Sequence, residues 1–225
     1  MNVYEREISD LLKDSEELEA EIGLPSGFLR SLNSEDDWSF VIKSTVLIEA
    51  VISTWLVDHL QQSELKKPLS YIDIGNPRYG KLELVNALGL TTSFDRKFLK
   101  TVIELRNNLA HRIENISFNF DSYVSSLDSN QRKQFGRSIS YVYIDESDTG
   151  EAIYPPVDEI LSSAKNVIYI GVVYFMAIIG NKIRSNRSER DLEILRVKIL
   201  EKEAKLRKLQ LETLGLEGLQ FRDSE

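Results

Sequence analysis

The stretch Trp38–Leu60, WSFVIKSTVLIEAVISTWLVDHL, decides the reading of this chain. Ser34 followed three positions later by Asp37 gives a capping-box-like start, so a helix is expected from roughly Asp36 to Gln61. Its apolar residues occupy nearly the whole circumference, and such a helix belongs at the centre of a bundle. Lys43, Glu49 and Asp58 interrupt the apolar run and disfavour a membrane span. Other helices must therefore surround it, and the pattern on both sides supplies them.

Upstream, Val3, Ile8, Leu11, Leu12 and Leu18 recur at helical spacing, predicting a charged amphipathic brace helix that ends near Gly23 and breaks at Pro25-Ser26-Gly27. That opening does not read as a secretory leader. Downstream, a loop with Pro68, Gly75, Pro77 and Gly80 leads to a short helix, KLELVNAL, capped by Gly89. The next helix starts near Thr92 or Ser93, with Asp95 in its first turn, and runs through RKFLKTVIELRNNLAHRI. Phe118, Phe120, Tyr123, Val124 and Leu127 suggest a further short helix between Ser117 and Arg137.

Residues 138–154 alternate around Asp148-Thr149-Gly150, which allows one small β-hairpin. After Pro155 and Pro156, a helix is expected over VDEILSSAKNVIYIGVVYFMAIIGNKI; its charge-free part, Asn166–Asn181, is short for a span and reads as buried or as a subunit interface. From about Ser188 to Leu214, Leu192, Leu195, Ile199, Leu206 and Leu209 fall on heptad a and d positions, broken by Lys202. The expectation is an all-α fold in four parts: a brace (1–33), a helical core (34–137), a loop or hairpin (138–156) and a helical C-terminal extension (157–225).

A formal net charge of -8 provides no global positive field for a polyanion, so nucleic-acid binding would need a local basic patch or a second subunit. The absence of cysteine removes disulfides, thiolate metal sites and cysteine nucleophiles, and fits a cytoplasmic location. No metal or other cofactor is expected. His59 beside Asp58 reads as a packing or helix-end residue, the acidic loop Asp145, Glu146, Asp148 and Glu151 lacks EF-hand spacing, and Tyr141, Tyr143, Tyr169 and Tyr174 read as packing residues. Lys182, Arg184, Arg187 and Arg190 form a basic cluster suited to RNA or anionic lipid, or to a helix-end charge cluster.

The chemistry is concentrated in Arg106-Asn107-Asn108-Leu109-Ala110-His111. At about 100° per residue, Leu99, Val102, Ile103, Leu105, Leu109, Ala110 and Ile113 share one broad arc. Arg106 falls inside that arc. Lys100, Glu104, Asn107 and His111 form a polar stripe opposite. A guanidinium on an apolar arc needs an acceptor, and Glu49 on the apolar helix needs a base, so a Glu49–Arg106 ion pair is predicted. Such a pair by itself is structural. An arginine, an amide and an imidazole together also suit metal-free cleavage of RNA by the neighbouring 2′-hydroxyl: His111 moves protons, Arg106 stabilises phosphorane charge, and Asn107 orients phosphate or imidazole. Glu49 and Glu104 would support the site. Arg106 and His111 lie about 140° apart on a continuous helix, so a turn at the helix end or a second protomer must bring them together.

RNNLAH resembles the arginine–histidine motif of the HEPN superfamily, with four intervening residues and a polar residue directly after the arginine. The sequence DDWSFVIKSTVLIEAVI, the Gly/Pro loop, GKLELVNALGL and a helix ending in RN, two residues and AH follow in the order of the mannitol-operon-repressor-like (MltR-like) branch. The resemblance covers roughly residues 34–120, about half the chain. It implies a HEPN-type bundle and, for catalytic relatives, metal-independent ribonucleases that pair two protomers around the motif as toxins or antiviral effectors. Arg106, Asn107 and His111 would take the active-site positions, with a homodimer, RNA and an antitoxin or other protein as partners. MltR-like proteins are regarded as regulators, which implies a non-catalytic interaction module as the alternative.

Overall fold

The computed structural model describes residues 3–110, 113–146 and 152–213. It is an all-α protein. By contacts the chain divides into two units, Met1–Ile183 and Arg184–Glu225.

In the first unit, α3 (Asp37–Leu60) is the central helix, and Phe40, Ile48, Val51 and Ile52 are fully enclosed. Its cap is Asp36 rather than Ser34: the Asp36 carboxylate accepts from the Ser39 amide at 2.9 Å. The Ser39 hydrogen bonds hold the Asp36 carboxyl below the usual carboxylate range. Before it, α1 (Val3–Glu21) and α2 (Phe28–Leu32) are joined through Glu19, whose buried carboxylate accepts from the backbone of Gly27 and Leu29 at 3.2 and 2.7 Å. An acid thus satisfies the open amides at the start of a short helix.

A 3-10 turn (Ser63–Leu65) and α4 (Lys66–Ser70) occupy part of the expected loop. Next, α5 (Lys81–Ala87) ends with Gly89 at positive φ, the conformation its cap requires. Thr92 and Asp95 then cap α6 (Ser93–Ala110) reciprocally through their side chains and amides. The core of this unit is continuous, and α6 packs on α3, α5 and α8.

Between Asn119 and Ile139 the chain forms two helices, α7 (Phe120–Ser126) and α8 (Ser129–Ile139), where one was expected. Asp128 and Gln131 make the capping box that separates them. The alternating segment forms the small antiparallel pair over part of its length, and the Asp148-Thr149-Gly150 turn lies outside the described residues. Ser138 and Ile139 finish α8, Tyr141–Tyr143 forms a 3-10 turn, and β1 (Asp145–Glu146) pairs antiparallel with β2 (Ala152–Ile153) over two residues each.

The apolar helix expected from Val157 is broken at Ser162-Ser163 into α9 (Val157–Leu161) and α10 (Ala164–Thr213). Val172, Val173, Met176 and Ala177 of α10 are wholly buried. By length and composition both α3 and α10 are long and apolar enough to cross a membrane; in the structure much of their apolar surface is buried in the bundle. Gly171 permits the closest approach. A β-carbon there would lie 2.6 Å from the Phe98 ring, and the bare backbone lets Phe98 and Tyr141 stack at 4.5 Å while the Tyr141 hydroxyl donates to the Gly171 carbonyl at 3.0 Å.

In the second unit, Leu192, Leu195, Ile199 and Leu206 of α10 are exposed.

Candidate functional site

The motif sits at the end of α6. Leu105 and Leu109 point into the core, and Arg106 and Asn107 are half-buried. Asn108 and Ala110 are exposed. His111 and Arg112 lie outside the described residues, and Ile113–Ser117 forms a 3-10 turn. The projected arc is therefore too wide at its end: Ala110 is exposed, and Ile113, 81% exposed, lies beyond the end of α6 in the 3-10 turn, where the helix projection no longer applies.

The predicted Glu49–Arg106 ion pair is replaced by another. The Lys81 ammonium reaches the Glu49 carboxylate at 2.6 Å, and the lysine side chain is only 2% exposed. Lys81 is driven inward by the loop before it. Gly80 allows a turn so tight that a β-carbon would meet the Asn76 backbone at 2.5 Å, and the amides of Lys81 and Leu82 donate to the carbonyls of Asp73 and Ile74. Sequence reading passed over Lys81, because a lysine opening an amphipathic helix ordinarily faces water.

With Glu49 taken, Arg106 makes a single side-chain hydrogen bond among the described residues, donating from Nη1 to Oδ1 of Asn107 at 3.0 Å, and no ion pair. Asn107 is thereby oriented by its neighbour. The Asp73–Gly80 loop lies against it: a β-carbon on Gly75 would be 2.8 Å from Ile103 and 3.6 Å from the Asn107 amide nitrogen. The structure thus joins Arg106, Asn107 and the glycine loop, and places the Glu49–Lys81 pair at the base of that loop.

Glu104 belongs to a different face. It is exposed, pairs weakly with Lys100 at 3.7 Å, and lines a groove of about 220 Å³ with Thr101, Asn108, Tyr123 and Gln134. Burial, then the charge of Glu104, raises the Tyr123 hydroxyl above its ordinary value. Sharing Gln134 and Ser138 with this groove is a second, of about 360 Å³, lined by Lys97, Lys133, Arg137 and Tyr154 with no carboxylate. The Arg137 guanidinium lies 5.1 Å from the Tyr154 ring centre. This cationic end was missed in the sequence, although Lys133 and Arg137, one turn apart, were legible as neighbours once α8 was recognised.

His59 is exposed in the last turn of α3. Asp148 and Glu151 of the acidic loop lie outside the described residues. Within the basic cluster, Lys182 rests over the Trp55 ring at 5.3 Å, a packing role. Tyr141 and Tyr174 pack edge to face, and Tyr169 is buried.

Fold and site together define an all-α helical bundle with a half-buried arginine–asparagine pair at the end of a core helix. Comparison with known proteins adds no closer placement: no protein-family model, curated protein or solved structure matches the chain.

Proposed function

We propose that the protein is a HEPN-type, metal-independent endoribonuclease acting in the cytoplasm in stress, toxin–antitoxin or phage defence. The observation that carries this reading is the state of Arg106: half-buried, steadied by Asn107, and without a carboxylate partner among the described residues, where Glu49 pairs with Lys81. A guanidinium so placed is available to an anion, and its planar donors match a phosphate.

In this scheme the 2′-hydroxyl oxygen attacks the adjacent phosphorus and the bond to the 5′-oxygen breaks, leaving a 2′,3′-cyclic phosphate and a 5′-hydroxyl. Arg106 stabilises the charge that builds on the phosphorane, and Asn107 orients the phosphate or the imidazole. His111 accepts the 2′-hydroxyl proton or donates to the departing oxygen; the complementary transfer falls to a second group, which a homodimer supplies as the same histidine of the other copy. The cationic groove supplies the local positive surface that a chain of net charge -8 needs to meet RNA.

The test is cleavage of mixed RNA by purified protein in chelator. Wild type should cut, while Arg106→Ala and His111→Ala should each fall by about a hundredfold or more. Equal cleavage by all three proteins, or none by wild type, defeats the proposal.

A second reading, a non-catalytic MltR-like regulatory or protein-interaction module that includes an antitoxin-bound state, is favoured by the exposed leucines and isoleucines of α10. It predicts stable protein complexes with no RNA turnover.

A further inference from the structure

We infer that the C-terminal part of α10 is the docking surface for a second copy of this chain, joined as a parallel two-stranded coiled coil over residues 191–209. The inference does not rest on the ribonuclease reading, although it would supply a second protomer.

Three observations carry it. First, Leu192, Leu195, Ile199 and Leu206 are exposed in one continuous helix; Ile194, Val197 and Leu200 are exposed too, but off this line, and only the four named fall on one stripe. Second, their spacing of three, four and seven matches alternating a and d positions, with Leu209 continuing the repeat in sequence. An unpaired helix would gain by burying that seam.

Third, the flanking charges select both the occupant and its direction. In a parallel pair, position g of one helix faces position e of the next heptad on the other. Here Asp191 faces Arg196 of a second copy, and Lys198 faces Glu203, each pair attractive and each occurring twice by symmetry. An antiparallel pair would instead oppose g to g and e to e, setting Lys198 against Lys205 and Asp191 against Glu212 while Arg196 met Glu203, two repulsive contacts against one attractive one. The exposed Arg196–Glu193 contact within one helix, at 3.6 Å, is too weak to prevent the exchange. Lys202 at a d position lowers the affinity and makes the dimer a reversible one.

Sedimentation equilibrium of the full chain reads the result. Wild type should show a monomer–dimer equilibrium. Ile199→Lys should leave it monomeric, and Lys202→Leu should tighten the dimer by about tenfold or more by replacing a buried charge with apolar surface. Lys198→Glu should weaken the dimer by about tenfold, and adding Glu203→Lys should restore it. All four side chains lie on the exposed stripe or its flanks, and circular dichroism confirms that each variant remains helical. A wild-type monomer up to about 100 μM overturns the inference, since a seam of this length needs at least weak association in that range. So does a dimer indifferent to Ile199→Lys, or one strengthened by Lys198→Glu, which marks antiparallel pairing.

Discussion

The exchange of partners at Glu49 sets the character of the site. Glu49 is 34% exposed at its side chain and Lys81 is 2% exposed, so the two ends of the pair are unequally protected from water. Removing Lys81 leaves a carboxylate that can still be hydrated; removing Glu49 strands an ammonium in the interior. Glu49→Ala should therefore destabilise the protein more than Lys81→Met, by a difference of about 1–2 kcal/mol in urea unfolding. The opposite order would mean that Lys81 reaches solvent. Tyr141 gives a second test at this scale. Burial, then Asp95 and Tyr174, raises its hydroxyl well above the ordinary value of 10.0. A raised folded value means that stability is retained below the ordinary value and falls as pH climbs past it, because the unfolded tyrosine ionises first. Tyr141→Phe should cost about 1 kcal/mol at neutral pH through loss of the bond to Gly171, yet decline less steeply above pH 10 in alkaline melts.

Among the elements, α3, α5 and α6 were legible because periodicity, Gly89 and the Asp95 cap each mark a boundary by local chemistry. The helix pair α7–α8 was blurred, although Asp128-Ser-Asn-Gln131 is a capping signature that could have been read. Other features had no local signal. The Ser162-Ser163 break, the burial of Lys81 and the continuity of α10 depend on which surfaces meet in three dimensions. The same reason explains the failed Glu49–Arg106 pairing: helix projection gives a direction for each side chain and leaves open which neighbour arrives there first. The contact of α6 with α10 can be tested through Gly171→Ala. Its methyl would fall inside the Phe98 ring contact and should cost about 1–3 kcal/mol by thermal or urea unfolding. A neutral effect would show that Phe98 and Tyr141 are loosely held.

For the whole molecule, an acidic chain that meets RNA must confine its positive charge. In the proposed reading Lys97, Lys133 and Arg137 do so along α6 and α8, with Lys97 projecting about 180° from Arg106, so RNA held there must pass around the helix to reach the motif. Lys133→Ala with Arg137→Ala should weaken RNA binding at low salt and reduce the salt dependence by about two counterions, with only a small fall in melting temperature from loss of the Arg137–Tyr154 contact. An unchanged salt slope would remove that groove from the RNA path. The central claim is narrower, that Arg106, Asn107 and His111 promote attack by the 2′-hydroxyl. Mass spectrometry of the RNA ends produced in excess chelator tests it most directly. The account predicts 2′,3′-cyclic phosphate and 5′-hydroxyl ends from wild type, lost together in His111→Ala. Ends bearing 3′-hydroxyl and 5′-phosphate, or intact RNA after prolonged incubation, would contradict it.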